Sequence, residues 1–246
     1  MSENGYASDT LNDFAAEPAE ERRVVVLISG NGSNLQALID EQSHDRLGGR
    51  IVAVIANQAD AYGLQRAREA GIDAVALPHR EYESREAYDG ALIKVIERHE
   101  PDLVVLAGFM RILTPRFVQR FLGRLINIHP SLLPAYQGLH THARALADGV
   151  AEHGCSVHFV TEELDGGPVA LQAAVAVAPD ETEDSLKEKV QAREHLIYPI
   201  AVKWCLEGRL RFGEGGARFD GTPLPPTGLR LSHADAAEEL DEDAEE

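Results

Sequence analysis

Apolar positions along the chain follow two rhythms that change near residue 134. Arg23-Val24-Val25-Val26-Leu27-Ile28-Ser29 is a continuous apolar run of strand length, as a strand buried on both faces requires. Ile51 to Ala56, Ala74 to Leu77 and Leu103 to Ala107 repeat that form. Between them the pattern predicts helices. One runs from Leu35 to Asp40, capped by Ser33 or Asn34; a second from Leu64 to Ala70 stops at Gly71; a third, capped by Ser84, reaches about His99 ahead of Pro101. Pro115 opens a short helix. Leu125-Ile126-Asn127-Ile128-His129 is then a fifth strand, ended by Pro130, which has no N–H to give.

Strands alternating with helices at these spacings predict right-handed βαβ units. The expected fold is therefore α/β: an open, mostly parallel, Rossmann-like sheet with helices on both faces. Beyond Pro134 the rhythm changes. A helix is expected over Thr141 to Ala147. Cys155 to Val160 alternates with period two, and Val169 to Val177 follows the turn Asp165-Gly166-Gly167-Pro168. These two runs predict an antiparallel C-terminal extension of the sheet. A long helix over 183–207, kinked at Pro199, and a short hairpin over Arg209 to Phe219 complete the pattern.

Residues 1–22 and 227–246 carry many acids and little apolar periodicity, so both read as disordered acidic segments flanking one domain over 23–226. The chain has 246 residues and a formal net charge of −18, which argues against a nucleic-acid footprint. No apolar run is long enough to span a membrane, and the N-terminus lacks the basic and apolar regions of a signal peptide. Two cysteines make no disulfide framework. A cytoplasmic protein is expected.

Three segments fall at carboxyl ends of predicted parallel strands, where ligands bind in such sheets. Gly30-Asn31-Gly32-Ser33-Asn34 joins a strand to a helix, so backbone N–H groups at the helix start can receive an anion. Leu35 replaces the third glycine of a dinucleotide fingerprint, and Asn57-Gln58 follows the second strand where a ribose-binding acid would stand. A phosphate monoester fits that loop better than a dinucleotide. Gly108-Phe109-Met110-Arg111-Ile112-Leu113 is the second segment. Asn127 and His129 form the third: two apart on a strand, they project from one face. An amide beside an imidazole suits a carbonyl-like centre, with Asn127 stabilising an oxyanion and His129 moving a proton. Asp165 is a carboxylate in a glycine-rich turn that can support an imidazole. His140, His142, His153 and His158 show no metal-ligand spacing, so no metal is expected.

Taken together and in this order, Ile28 to Gln36, Ala107 to Leu113, Asn127 to Pro134 and Leu164 to Pro168 resemble the folate-dependent formyltransferases that act on glycinamide ribonucleotide. That resemblance covers about residues 23–226. It implies formyl transfer from 10-formyltetrahydrofolate to the amine of glycinamide ribonucleotide, by a monomer or homodimer. It implies Asn127, His129 and Asp165 as the catalytic group. Gly32, Ser33 and Asn34 would hold the phosphate, and Gln191, Ala192, Arg193 and Glu194 would meet the ribose. Arg85, Met110, Arg111, Ile112, Leu113 and Asn127, with Thr161, Glu162, Glu163, Leu164 and Asp165, would contact the folate. Two alternatives stay open: hydrolysis of formyl-folate on the same framework, and a nucleotide-phosphate binding protein without turnover. Cys155 stands where the resemblance leads one to expect a hydroxyl residue.

Overall fold

The structure, a computed structural model, describes residues 21–241. Five strands open the chain: β1 (Arg23–Ile28), β2 (Arg50–Ala56), β3 (Asp73–Ala76), β4 (Leu103–Leu106) and β5 (Leu125–His129). The helices between them are α1 (Ser33–Ser43), α2 (Gly63–Glu69), α3 (Arg85–Glu97) and α4 (Pro115–Arg120). After α5 (Thr141–Ala147) come β6 (Glu152–Phe159), β7 (Val169–Ala176) and the long helix α6 (Glu183–Leu206). β8 (Leu210–Gly213), β9 (Gly216–Phe219) and β10 (Thr222–Pro223) form a small antiparallel sheet. β11 (Leu229–Arg230) and α7 (His233–Asp241) end the described chain.

The main sheet has eight strands in the order β11-β7-β6-β5-β4-β1-β2-β3. Pairings from β3 across to β5 are parallel, and β6 runs antiparallel to both β5 and β7. The chain winds one way from β1 to β3 and the other way from β4 to β5. The switch point therefore lies between β1 and β4, and a crevice opens there at the carboxyl ends.

The apolar run of β1 divides by alternation. Val24, Val26 and Ile28 pack with α1, α2 and α6, whereas Val25 and Leu27 pack with α3 and α4 on the opposite face. That two-sided burial is why the run carries no polar positions. Tyr198 ties α6 to the sheet: its hydroxyl donates to the Leu106 carbonyl at 2.8 Å. α6 continues through Pro199, which is buried.

Two expectations are corrected. Neither Ser33 nor Asn34 caps α1; Gly32 precedes the helix at φ 76° without a side-chain cap, and both residues lie inside its first turn. The acidic C-terminal segment is also not disordered where it is described. β11 pairs with β7 at Leu171 and Gln172, and α7 buries Ala236 and Leu240 against the core. Glu239 is engaged as well: the Trp204 indole donates to its carboxylate at 2.5 Å, and Arg209 reaches the same group at 3.2 Å. Residues 1–20 and 242–246, where the same expectation was placed, lie outside the described residues. At the domain's expected start, Arg22 and the Arg23 N–H both bond Asp102. Among the described residues no helix is long and apolar enough to cross a membrane.

Candidate active site

The uncapped start of α1 is the first component of the site. With no side chain turned back on it, the helix leaves its first N–H groups and its partial positive charge facing outward. Gly32 is required there twice over. Its φ is positive, and a Cβ would stand 2.9 Å from the Gly63 Cα. The loop borders a cavity of about 400 Å3 at the switch point. Gly30 to Asn34 form one wall, Ala107, Gly108 and Met110 after β4 another, and Ile128 and Pro130 a third. α6 closes it with Lys187, Gln191 and Glu194. Those three recur at i, i+4 and i+7, one face of the helix.

Gln191 donates to Ser33 Oγ at 2.8 Å, which locks α6 to the loop. Glu194 is buried and accepts from the Asn34 amide at 3.0 Å. Burial raises the Glu194 carboxyl above its ordinary range, and the Asn34 bond opposes that shift. Asn34 Oδ1 is buried with no partner of its own. A ligand bearing hydroxyls could satisfy both groups. Ala192 and Arg193 do not reach this cavity; they line a separate groove along β7. Helical periodicity explains it, since residues one and two beyond Gln191 point away.

β5 presents the second component. Asn127 and His129 share a face, as period-two geometry demands. His129 Nε2 donates to the Tyr136 carbonyl at 2.9 Å, and Nδ1 lies 3.5 Å from Asp165 Oδ2. The carbonyl thus fixes the ring's orientation, while the carboxylate faces the other nitrogen at ion-pair distance. Asp165 is positioned by the loop after β5: Gly138 N–H donates to its Oδ2 at 2.8 Å, and Gln137 donates to its carbonyl. Its own turn is equally constrained. Asp165 has φ 49°, and a Cβ on Gly167 would overlap the Phe159 carbonyl. The residues after β5 are in turn anchored by Ser156 and Gln172, which bond Leu133 at 3.0 Å and 2.8 Å.

His158, which has no metal-ligand spacing in the sequence, completes this group. It sits directly opposite Asn127 in the β5–β6 register. Its Nδ1 donates to the Phe159 carbonyl, and its Nε2 accepts from the Asn127 amide at 3.1 Å. Burial lowers its pKa to about 4, so the neutral ring is the form that holds Asn127. The antiparallel alternation of β6 was the signal that could have placed it there. His142 and His153 bond each other at 3.2 Å.

The residues expected at the folate are distributed unevenly. Met110 and Ile112 expose 69% and 57% of their surface, and Leu164 exposes 54%, a cost that an apolar ligand would relieve. The Met110 N–H donates to Ser29 Oγ at 2.7 Å, which joins the β4 loop to the β1 loop. Arg111 stacks 4.8 Å over the Tyr88 ring, and its Nε is buried without a partner. Leu113 packs into the α3/α4 face of the core. Thr161 is half-buried, Glu163 is exposed, and Glu162 accepts from Gln119 at 2.6 Å. Arg85 is exposed at the first position of α3.

A switch-point crevice with an anion-receiving helix start, beside an amide, an imidazole and a carboxylate, describes a group-transfer site. The chain belongs to the formyl transferase family, whose model matches residues 22–202. Within that family it is similar to phosphoribosylglycinamide formyltransferases. It is 57% identical over 205 residues to that enzyme of Escherichia coli, covering 83% of this chain and 97% of the relative. Against that of Haemophilus influenzae it is 44% identical over 207 residues, covering 84% and 98%. The solved phosphoribosylglycinamide formyltransferase of Coxiella burnetii, in complex with CHES, superposes with a TM-score of 0.83 at 49% identity, covering 87% of this chain and all of that one.

Proposed function

We propose that this enzyme transfers the formyl group of 10-formyltetrahydrofolate to the amine of glycinamide ribonucleotide, a cytoplasmic step of purine biosynthesis. One observation carries the reading. Asp165, from a loop far along the chain, comes within 3.5 Å of His129 at the end of the strand whose next residue, Pro130, lines the α1 cavity. Gly32, Ser33 and Asn34 receive the phosphate on backbone N–H groups. Glu194 accepts from the ribose hydroxyls, and Gln191 holds the loop against α6. Met110, Arg111, Ile112 and Leu164 flank the pterin.

The amine nitrogen attacks the formyl carbon. The new N–C bond forms first, giving a tetrahedral adduct with its charge on the formyl oxygen, and the bond from that carbon to the folate nitrogen then breaks. Asn127, fixed by His158, donates to the formyl oxygen while it carries negative charge. His129, facing the Asp165 carboxylate, moves the proton lost by the amine to the departing folate nitrogen. Holding two substrates side by side supplies much of the rate, because the reaction becomes effectively intramolecular. The test is a steady-state assay of folate product with and without glycinamide ribonucleotide. Turnover that requires the acceptor is the expected result; binding without turnover would return the chain to the class of nucleotide-phosphate binding proteins.

A further inference from the structure

The loop that receives the phosphate is not held by its own residues alone. Helix α2 stands behind it, joined to it by three hydrogen bonds and to α1 by a fourth. Gly63 N–H donates to the Gly30 carbonyl at 3.0 Å. Arg66, one turn further along α2, donates from Nε to the Asn31 carbonyl at 2.9 Å and from Nη2 to Asn31 Oδ1 at 3.1 Å. Its remaining terminal nitrogen, Nη1, donates to Gln36 Oε1 on α1 at 3.0 Å. Gln36 is itself oriented, since its amide donates to Asp40 Oδ1 at 2.8 Å. The guanidinium also lies 4.9 Å over the Tyr62 ring. Each nitrogen of the planar fork therefore has a partner, on two different elements. A lysine, with one point of attachment, cannot reproduce that geometry.

We infer that Arg66 is the positioning residue of the phosphate loop: it acts through both polar groups of Asn31 and through Gln36 to keep the Gly32, Ser33 and Asn34 N–H groups converged on a phosphomonoester. The inference rests on the reading of this crevice as the ribonucleotide site. Two features make it more than a generic surface contact. The backbone of the loop meets α2 so closely that Gly32 has no room for a Cβ beside Gly63, so small shifts of α2 pass directly into the loop. In addition, α1 begins without a side-chain cap, so the first-turn N–H groups rely on the loop's own path to point at the ligand. A guanidinium behind the loop also adds positive charge near a dianion in a chain of net charge −18.

The experiment compares Arg66→Met and Arg66→Lys with the parent on two acceptors, glycinamide ribonucleotide and the same molecule lacking its phosphate. Thermal melting is followed in parallel. Loss of the charged hydrogen bonds should raise the KM for the phosphorylated acceptor by about tenfold or more in Arg66→Met, and by a smaller factor in Arg66→Lys. kcat at saturation and the KM for formyl-folate should stay within about twofold, inside the usual scatter for a residue that touches neither reacting group. The KM for the acceptor without phosphate should not move. Arg68→Gln, an exposed neighbour on the same helix, is the control. If Arg66→Met does not fold, Arg66→Lys decides. Unchanged KM in a folded variant, or an equal rise for both acceptors, would overturn the role. A parent enzyme that fails to prefer the phosphorylated acceptor would instead overturn the phosphate assignment on which the role rests.

Discussion

His129 is flanked on both ring nitrogens, by the Tyr136 carbonyl at 2.9 Å and by Asp165 at 3.5 Å. That division of labour sharpens what Asp165 contributes. Since the carbonyl already sets the ring's orientation, Asp165→Asn removes charge more than it removes order. It should lower kcat by about a hundredfold or more, the scale of an acid–base partner, with both substrate affinities changing far less. His129→Ala should cost a similar factor, and the double variant should cost far less than the product, because the residues act as a unit. Fully multiplicative losses in a double-mutant cycle on kcat would separate them. A second prediction concerns acid. Burial lowers His153 and His158 to about 4 from an ordinary 6.5. The unfolded chain therefore binds protons that the folded chain refuses. The stability they contribute is fully present above pH 6.5 and is lost as pH falls towards 4. Melting temperature should drop steadily over that window, and His153→Gln should flatten the drop; an unchanged slope would remove His153 from the account. That Asn127 and His129 share a face was legible in the sequence because strand periodicity is local, whereas the place of Asp165 beside them came from the family resemblance and not from its turn. The Tyr136 carbonyl, the Gly138 N–H and the pairing of His158 with Asn127 were not legible, since backbone groups carry no residue signature and cross-strand register depends on the whole β6–β7 hairpin.

Among the elements, α7 departs most from what composition suggested. Acid content drew the reading towards disorder, although a local signal was present. Ser232 and Asp235 cap reciprocally: the Ser232 N–H donates to Asp235 Oδ2 at 3.0 Å, and the Asp235 N–H to Ser232 Oγ at 3.2 Å. Ala236 and Leu240 then recur at i, i+4 and are buried at 1% and 9% exposure. Burying one leucine contributes about 2 kcal/mol. Removal of residues 229–246 should therefore lower the melting temperature by about 5 °C or more, while kcat and both KM values stay near the parent, because α7 packs against α6 away from the switch-point crevice. A truncated chain with unchanged melting would mean that the helix does not dock. The α1 start shows the opposite error. Ser33 and Asn34 are the residue types that cap helices, yet both are used otherwise: Ser33 accepts from Gln191, and Asn34 donates to Glu194. Local preference was overridden by the site.

At the scale of the whole molecule, the alternation of strands and helices was enough to bring the candidate motifs to one end of a parallel sheet. Five parallel strands and loops at their carboxyl ends follow from the apolar runs; the strand order, with its reversal between β1 and β4, does not. The sequence did not disclose that the crevice spans two regimes, with the α1 loop built on parallel β1 and β4 and the Asn127 and His129 side closed by antiparallel β6 and its following loop. The central claim is that both sides serve one transfer. The most direct test counts products in one reaction vessel containing formyl-folate and glycinamide ribonucleotide. One formylated acceptor should appear for every folate released, and omission of the acceptor should stop folate release. Folate released at a comparable rate without acceptor, with formate as the only other product, would contradict transfer and assign the same residues to hydrolysis.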